Sequence, residues 1–517
     1  MTRKIFLFIT GCVLLTVLPN LTAQTNEARL FVDASREEVQ INKNIYGHFA
    51  EHLGGCIYGG IWVGPESDIP NTRGIRKDVV NALKELNIPV LRWPGGCFAD
   101  TYHWRDGIGP RDQRPDRINT FWGDVIESNH FGTHEFMDLI EQLGTEAYFA
   151  GNVGSGSPQE MHDWVEYLTY PGESTLANLR RENGQSQPWD IPFWGVGNEN
   201  WGCGGNMTAE FYAYLYRQFA TYVMDYGDNN IYKVAGGAGS SNYHWTETLM
   251  REAGNHMDGL SLHYYTLPGD WSNKGPALGF DENAWFTTLR KALDIDDVLA
   301  RHIAIMDQYD PGQRVGLMVD EWGTWYDPME GTNPAFLKQQ NSLRDALVAG
   351  LTLNIFHDHA ERVRMANIAQ TVNVLQAMIH TDGPDMFVTP TYHVFEMYKV
   401  HQDAMRLAYH LDSPEYQFGD NSITSVNVSA TKNSNGVIHI SLCNLNPNEA
   451  VTLEAEVRGI NNKRLAGRVL TANSMDAHNN FKQKNRVAPA EFDNLKSTRD
   501  GFSATLPPKS VVVIEIR

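Results

Sequence analysis

The segment "PFWGVGNENWGCGG", residues 192–205, decides the fold of this chain. An apolar run ends in glycine and is followed at once by Asn198 and Glu199. A carboxylate at the end of a buried strand is costly unless it is paired or takes part in chemistry. The segment therefore predicts a buried strand that presents a functional carboxylate, and the rest of the chain must supply its partners.

Seven further apolar runs of similar character flank this one and alternate with amphipathic stretches of helical period. The predicted strands are residues 45–50, 89–96, 146–154, 192–199, 232–237, 258–265, 315–323 and 353–358. The predicted helices include residues 74–87, 132–144, 208–227, 336–352 and, as the last helix, 364–378. Eight such repeats predict an α/β fold, a (β/α)₈ TIM barrel over residues 44–384, whose chemistry lies at the C-terminal strand ends.

The remainder of the chain has a different pattern. From residue 385 onward, segments such as "SITSVNVSATKNSNGVIHISLC" (422–443) alternate polar and apolar residues between Asn/Gly turns. This alternation is typical of an all-β sandwich. Residues 28–41 are also strand-like, so we expect residues 28–43 to join residues 385–517 in that second domain.

The composition limits the kinds of partner. The chain has 517 residues and a net charge of −20, which gives no basic face for nucleic acid. A neutral or weakly charged substrate is expected instead. Outside the N-terminus no segment is apolar enough to span a membrane.

The first residues, "MTRKIFLFITGCVLLTVLPNLTAQ", combine a basic start with a short apolar run. This pattern predicts a signal peptide over residues 1–23, cleaved near Ala23, and secretion across the inner membrane into the periplasm. The alternative is a lipoprotein anchor at Cys12. We favour cleavage near Ala23, because most of the apolar run follows Cys12.

The cysteines beyond the predicted signal do not define a framework. Cys56, Cys97, Cys203 and Cys443 show no CxxC pair and no zinc-type spacing. An oxidising compartment would allow one disulfide, but spacing does not reveal which pair forms it.

Two carboxylates stand at ends of predicted strands. Glu199 follows the fourth strand, and Glu321, in "LMVDEWG", follows the seventh. Glycoside hydrolysis needs two carboxyl groups flanking one bond, and about 5.5 Å between them suits a retaining mechanism. The alternative for each is simple pairing with a nearby arginine. We interpret the two together as a catalytic pair.

Other polar and aromatic groups fall near the same predicted edge: Glu51, Arg92, Trp122, His263, Tyr265, Trp325 and, in the predicted last helix, Gln370. Arg92 would keep a nucleophilic carboxylate ionised, because a nearby positive charge lowers a carboxylate pKa. A structural ion pair is an equal alternative for Arg92. His357 and His359, placed on one face of the predicted eighth strand, form a candidate metal pair without a third ligand, so we favour a structural role for them and expect no metal.

These motifs together resemble the α-L-arabinofuranosidases of glycoside hydrolase family 51. The resemblance rests on "FAEHLGGCIYGGIW", "LRWPGGCFADTYHWRDGIGP", "GVGNENWGCGG", "SLHYY", "VDEWGTWY" and "ANIAQTVNVL". It extends from about residue 28 to the end of the chain.

The resemblance implies a retaining, exo-acting enzyme without a cofactor, acting on plant cell-wall arabinose-containing polysaccharides or oligosaccharides. It implies that Glu199 is the acid/base and Glu321 the nucleophile, and that the enzyme forms a homo-oligomer. It also assigns further roles, namely sugar binding by Glu51, Asn198 and Gln370 and support of the nucleophile by Arg92 and Tyr265. We add Trp122, Trp325 and Tyr265 as pocket-lining candidates and His263 as a second support of the nucleophile.

Two departures from the family pattern affect the pocket. Many members carry Asn where Cys97 follows "WPGG", so Cys97 is a subsite candidate whose sugar contact would differ. The loop "NENWGCGG" also differs from the "GNEMDGPWQ" type, which suggests another leaving group. The alternatives are an endoglucanase or β-xylosidase on the same scaffold, or a non-catalytic carbohydrate-binding protein.

Overall fold

The computed structural model describes residues 26–460 and 464–517. The predicted signal peptide, residues 1–23, lies outside these residues. Eight parallel strands close into a barrel. In chain order they are Gly47–Phe49, Val90–Trp93, Glu146–Gly151, Phe193–Val196, Tyr232–Gly239, Gly259–Thr266, Gly316–Thr324 and Val363–Ala369. The predicted (β/α)₈ barrel is therefore confirmed.

The α-helices pack around the barrel and against the second domain. Their bounds are Lys77–Leu86, Thr133–Leu143, Pro158–Thr169, Thr175–Glu182, Ala209–Tyr222, Tyr243–Ala253, Glu282–Leu293, Ile295–Tyr309, Leu343–Asp358 and Pro390–Tyr398. Hydroxyl side chains begin several of them: Ser157 Oγ accepts from the Glu160 N–H, and Thr208 Oγ1 accepts from the Phe211 N–H. No described helix combines the length and apolar character needed to cross a bilayer.

The eighth strand was predicted in the wrong place. Residues 353–358 lie in the helix Leu343–Asp358, and the strand is Val363–Ala369, inside the predicted last helix. The reason is burial: almost every residue of Leu343–Asp358 is buried, since the helix packs between the barrel and the second domain. A helix buried on all sides has no amphipathic period, so its apolar run reads like a buried strand.

The second domain is a ten-stranded sheet with its own hydrophobic core, separate from that of the barrel. The strand order is Ala490–Glu491, Leu465–Leu470, Ser510–Ile516, Ile438–Asn444, Val426–Lys432, Met405–Asp412, Glu27–Gln40, Val451–Arg458, Gly501–Leu506, Leu495–Ser497. Glu27–Gln40 pairs antiparallel with Met405–Asp412 and parallel with Val451–Arg458. The early strand therefore lies inside this sheet, between two strands from the C-terminal part of the chain.

Four short antiparallel hairpins lie in the loops of the described residues. They pair Asn71–Thr72 with Ile75–Arg76, Arg117–Asn119 with Val125–Glu127, Ile379–Asp382 with Asp385–Val388, and Glu415–Phe418 with Asn421–Thr424. The hairpin of residues 117–127 carries Trp122 to the mouth of the barrel, where its indole bonds Glu51.

The interior of the barrel is packed rather than open. Val90, Tyr148, Val234, Met318 and Met365 form one buried cluster with one member from each of five barrel strands. Residues two apart on a strand face the same side. The polar residues two positions beyond Val90 and Met318 therefore lie above this cluster, at the C-terminal edge where a TIM barrel carries its chemistry.

Candidate active site

Arg92, in the second barrel strand, is the centre of the polar network at this edge. Its Nη1 donates to Glu321 Oε1 at 2.9 Å and to the carbonyl of Asp320 at 3.0 Å. Its Nη2 donates to Asn198 Oδ1 at 2.6 Å, and its guanidinium lies over the ring of Phe49. A planar guanidinium can make all these contacts at once, so one side chain orients groups from the fourth and seventh strands.

Glu321 lies within the seventh strand and is almost fully buried. Its Oε1 accepts from Arg92 and its Oε2 accepts from the Tyr265 hydroxyl at 2.9 Å. Burial raises the pKa of this carboxyl, while the positive charges of His263 and Arg92 oppose that rise. The charges of Arg92 and His263 thus favour the ionised form of Glu321, and the hydrogen bonds from Arg92 and Tyr265 fix its position.

His263, at the end of the sixth strand, touches three carboxylates. Its Nδ1 lies 2.9 Å from Glu199 Oε1 and 3.4 Å from Glu321 Oε2, and its Nε2 lies 3.3 Å from Asp320 Oδ1. Burial alone would lower the pKa of His263. Attraction to Glu321 and hydrogen bonds to Asp320 and Glu199 outweigh burial and raise this pKa to about 10. At neutral pH the ring is therefore an imidazolium.

Asp320 contacts the imidazolium of His263 at Nε2, the ring nitrogen that does not face Glu199. Its Oδ2 accepts from the Tyr148 hydroxyl at 2.7 Å, and its Oδ1 accepts from the Ser261 hydroxyl. Burial would raise its pKa, but Arg92 and His263 hold it at about 2. Asp320 and Glu321 are consecutive, yet both face the network. Irregularities in the pairing with the strands on either side accompany this arrangement, and such bulges re-aim side chains.

Glu199 follows the fourth strand in a left-handed backbone conformation, with φ +41°. Such a conformation costs of order 1–3 kcal/mol for a residue other than glycine and recurs at functional sites. The carbonyl of Glu199 accepts from the N–H groups of Gly202 and Gly204 at 2.7 and 3.2 Å. One oxygen of its carboxyl lies within 4.8 Å of one oxygen of Glu321. The two carboxylates predicted to converge therefore do so.

Glu51, after the first strand, is held by donors on all sides. Its Oε1 accepts from the N–H groups of Gly96 and Phe98 and from Trp122 Nε1, at 3.0–3.1 Å. Its Oε2 accepts from Gln370 Nε2 at 2.8 Å. Burial, with repulsion from Glu321 added, raises the pKa of Glu51 to about 7. A Cβ on Gly96 would meet Glu321 Oε1 at 2.7 Å, so only glycine fits there.

The sequence placed Gln370 inside a final helix, but in the structure it directly follows the eighth strand. This correction moves it onto the barrel edge and explains its contact with Glu51. Its Oε1 is buried and has no hydrogen-bond partner among the described residues.

An aromatic cavity of about 440 Å³ opens beside Glu199. Its walls are Glu199, Trp201, Gly239, Ser240, Asn242, His263, Tyr265, Trp271 and Trp325. Trp325 packs edge-on against Tyr265 and Trp271, with ring centroids 5.0 and 5.3 Å apart. Trp271 is 59% exposed, which is unusual for so large an apolar side chain. The cavity therefore offers aromatic faces next to the carboxyl pair.

The cysteines divide into one bridged pair and two buried thiols. Cys97 and Cys203 form a disulfide, while Cys56 and Cys443 are free and buried. Cys97, the subsite candidate, thus lies at the edge of the site with its sulfur bonded to Cys203. Sequence spacing gave no means of choosing this pair.

Two groups of potential metal ligands occur among the described residues, and both involve this site. One consists of Cys97, Glu199 and Cys203, and the other of Glu199, His263 and Glu321. The sulfurs of the first are joined to each other. In the second, a protonated His263 has no lone pair to donate to a metal.

The candidate metal pair His357 and His359 is not supported. His357 lies in a helix and bonds the Tyr46 hydroxyl and Ser429 Oγ, whereas His359 pairs with Asp296. A strand over residues 353–358 would put the two on one face. In the structure His357 lies in the helix Leu343–Asp358 and His359 directly follows it, so the two have different partners and are structural.

All the predicted site residues meet at one edge of the barrel, and further members that the sequence analysis did not name include Asp320 and Trp271. Asp320 was adjacent to Glu321 in "VDEWG", and its role was hidden because two consecutive strand residues normally face opposite sides. Trp271 lies in the turn-rich loop "PGDWSNKG", where a large aromatic among turn residues was an available signal.

The comparisons with known proteins agree with this geometry. An α-L-arabinofuranosidase 1 domain matches residues 82–282, and an α-L-arabinofuranosidase C-terminal domain matches residues 320–510. An intracellular exo-α-L-arabinofuranosidase of Bacteroides ovatus is 50% identical over 499 residues, spanning 96% of this chain and 97% of that protein. A probable α-L-arabinofuranosidase C of Aspergillus fumigatus is 40% identical over 366 residues, 68% of this chain and 70% of that one.

Solved structures give the same result. The family 51 arabinofuranosidase from Xanthomonas axonopodis pv. citri superposes with a TM-score of 0.94 and 51% identity, covering 95% of this chain and 100% of that one. An α-L-arabinofuranosidase from Thermotoga maritima, solved as an arabinose complex, has a TM-score of 0.82 and 30% identity over 95% of this chain and 99% of that one.

Barrel, sandwich and convergent carboxyl pair together define a glycoside hydrolase. Within that class, the chain belongs to the α-L-arabinofuranosidases of glycoside hydrolase family 51.

The predicted secretion to the periplasm is contradicted by these comparisons. The Bacteroides ovatus relative, which matches nearly the whole chain, is named an intracellular enzyme. The prediction depended only on a short basic and apolar pattern in residues 1–23. A pattern of this kind is a weak signal, and those residues lie outside the described part of the chain.

Proposed function

We propose that this protein is a retaining, exo-acting α-L-arabinofuranosidase. It releases terminal arabinofuranose from arabinan, arabinoxylan or related oligosaccharides by double displacement and needs no cofactor. The observation that carries the proposal is that one carboxyl oxygen of Glu199 lies within 4.8 Å of one carboxyl oxygen of Glu321. A retaining pair stands about 5–5.5 Å apart, whereas an inverting pair needs about 6.5–9.5 Å to admit a water molecule.

Glu321 is the nucleophile in this mechanism. Its carboxylate receives hydrogen bonds from Arg92 and Tyr265, so its position is set before substrate arrives. It attacks the anomeric carbon, the glycosidic bond breaks, and a covalent arabinosyl ester forms. Water then attacks the same carbon and returns Glu321 as a free carboxylate.

Glu199 is the acid/base. It protonates the leaving oxygen in the first step and takes a proton from water in the second. The surrounding charges support this role. The cations Arg92 and His263 face the carboxylates Asp320 and Glu321. His263 Nδ1 also lies 2.9 Å from Glu199 Oε1, so one ring orients the acid/base and contacts the nucleophile.

Glu51, Gln370, Asn198 and Trp122 bind the arabinose ring, and Cys97 contributes to the wall of its pocket through the disulfide. The unpartnered Oε1 of Gln370 supports this role, because a sugar hydroxyl would satisfy it. The leaving group lies in the aromatic cavity, where Trp325 and Tyr265 present ring faces and edges. Apolar sugar faces pack well on such surfaces.

The direct test is hydrolysis of p-nitrophenyl α-L-arabinofuranoside, with the first-formed anomer followed by NMR. The proposal expects release of nitrophenol and initial formation of the α anomer of arabinose. Absence of hydrolysis between pH 4 and 8, or initial formation of the β anomer, would contradict it. A product profile on branched arabinan and arabinoxylan would then define the linkage.

Two proposals concern the whole molecule. Residues 44–384 form the catalytic domain, and residues 28–43 with 385–517 form the sandwich domain. The protein also assembles as a homo-oligomer. The support for assembly is the hairpin of residues 117–127, where Ile118 and Ile126 are 61% and 63% exposed. Light scattering on the wild type and on Ile118→Ser/Ile126→Ser tests it: assembly expects a multimeric mass that falls in the variant.

A further inference from the structure

The Cys97–Cys203 disulfide joins the two loops that hold opposite sides of the site. Cys97 follows Gly96, whose N–H binds Glu51, and begins the short helical turn Cys97–Thr101. Cys203 lies in the turn that follows Glu199. The bridge therefore ties the loop after the second barrel strand to the loop after the fourth.

The bridge also contacts the carboxyl of Glu199 directly. Cys203 Sγ lies 3.6 Å from Glu199 Oε2 and 4.0 Å from Asn198 Nδ2. The other oxygen, Oε1, is bound by His263. The bridge thus lies beside Oε2, while His263 holds Oε1.

The turn of residues 199–205 is held by hydrogen bonds of its own and by its neighbours. Its internal bonds run from the N–H groups of Gly202 and Gly204 to Glu199 and from Asn200 Nδ2 to Gly204. Trp201 Nε1 donates outward to the carbonyl of Gly237, and the carbonyl of Asn200 accepts from the Met207 N–H. The bridge adds the covalent attachment of this turn, which carries the left-handed Glu199, to the loop after the second strand.

Glu321 does not depend on the bridge. Arg92 from the second strand and Tyr265 from the sixth hold it through hydrogen bonds made within the barrel. Loss of the bridge would therefore leave the nucleophile in place, while Glu199 would keep the contact of His263 at Oε1 and lose the contact at Oε2.

We propose that the Cys97–Cys203 disulfide is a positioning element for the acid/base, so that the thiol redox state selects which leaving groups the enzyme can expel. The inference rests on the proposed role of Glu199. A good leaving group departs without protonation and tolerates a displaced Glu199, whereas a sugar alkoxide does not. Reduction would thus narrow the enzyme to activated substrates.

The experiment compares kcat/KM for p-nitrophenyl α-L-arabinofuranoside and for α-1,5-arabinobiose, because kcat/KM reports the steps up to glycosidic cleavage. The phosphine TCEP breaks the S–S bond by attack on one sulfur. The other sulfur leaves as a thiol, water releases the second thiol, and the phosphine becomes its oxide. Alkylation and mass spectrometry measure the extent of reduction.

For the fully reduced enzyme and for Cys97→Ser/Cys203→Ser, kcat/KM for arabinobiose should fall about tenfold to hundredfold, the range expected from a misplaced general acid. Both substrates use the same arabinose pocket, whose wall includes Cys97, so the ratio of the two kcat/KM values isolates the effect on the acid/base, and retained nitrophenyl hydrolysis reports an intact fold and nucleophile. The matched control is TCEP added to the double serine variant, which should change neither value.

Three results would overturn the inference: a purified, unreduced protein without the bridge, an equal loss on both substrates, or full reduction with no loss on either. Failure of the proposed function is distinct, since the oxidised enzyme would then not cleave the nitrophenyl substrate at all.

Discussion

The imidazolium of His263 donates through Nδ1 to Oε1 of Glu199 at 2.9 Å. The same ring nitrogen lies 3.4 Å from Oε2 of Glu321. One positive charge therefore serves both members of the carboxyl pair, and it is fixed from the far side by Asp320 at 3.3 Å. The pair is coupled through this ring, so a change at His263 should alter the pH dependence of the reaction as well as its rate.

Removal of that charge should move the acidic limb of the pH profile. The positive charge of His263 lowers the pKa of Glu321, so His263→Asn should raise it. The nucleophile would then be protonated at higher pH, and the acidic limb of kcat/KM should shift upward by about one pH unit. Nitrophenyl hydrolysis between pH 4 and 8 measures the shift. An unmoved limb would show that His263 acts only through packing.

Removal of Glu199, the proposed acid/base, should separate substrates by leaving group. Glu199→Ala should reduce kcat/KM for arabinobiose by about 10²–10⁴-fold and spare the nitrophenyl substrate. Added azide should restore turnover of the nitrophenyl substrate and yield an arabinosyl azide, because an anion can attack the ester in place of activated water. Glu321→Gln is the companion variant, and it should lose both substrates without rescue. A uniform loss in Glu199→Ala would assign that residue another role.

Truncation of Trp271 should weaken the leaving-group side of the site. Trp271 lines the cavity beside Glu199 and is largely exposed in the free protein. Trp271→Ala should lower kcat/KM for arabino-oligosaccharides about threefold to tenfold, the value of one aromatic contact. Methyl α-L-arabinofuranoside, whose leaving group is too small to reach it, should be unaffected. Phe211→Ala, which removes an exposed aromatic from another surface, is the control.

Buried histidines should make the fold sensitive to acid. Burial lowers the pKa of His48 to about 3, and neither ring nitrogen has a partner among the described residues. Between about pH 6.5 and pH 3, His48 therefore binds a proton in the unfolded chain but not in the folded chain. The contribution of this neutral ring to stability is full above pH 6.5 and is lost as the pH falls, by about 2 kcal/mol at pH 5.

His48→Phe isolates that effect, since it removes the titration and breaks no hydrogen bond. Urea unfolding at pH 7.5 and pH 5 should show the variant gaining about 2 kcal/mol relative to wild type at the lower pH. His410→Phe, on an exposed strand position, should show no such gain. A parallel response of the His48 variant and wild type would refute the assignment.

The positions of Glu199 and Glu321 were predictable because each follows an apolar run short enough to be a strand. Gln370 was misplaced for the opposite reason: the helix Leu343–Asp358 is buried by the barrel on one side and the sandwich on the other. Asn354, in this helix, forms hydrogen bonds with Asn427 and Ser441, which lie far along the chain. Tertiary burial of this kind removes the periodicity on which sequence reasoning depends.

The chemistry of the site was only partly predictable. The types of residue were evident, but the pairing of Cys97 with Cys203 follows from loops that meet only in the closed barrel. Asp320 was obscured by an irregular pairing that no local pattern encodes. Sequence thus indicated which side chains lie at the barrel edge, whereas the contacts among them depend on the register of the barrel strands.

The strand Glu27–Gln40 has a consequence for biosynthesis. It lies between Met405–Asp412 and Val451–Arg458, so it is synthesised early but can pair only after about 400 more residues have been added. At a synthesis rate of about 5–20 residues per second, the strand Glu27–Gln40 stays unpaired for roughly 20–80 seconds while the barrel is synthesised. A nascent chain that stalled in that interval would expose the unpaired strand Glu27–Gln40 and would therefore be a substrate for chaperones.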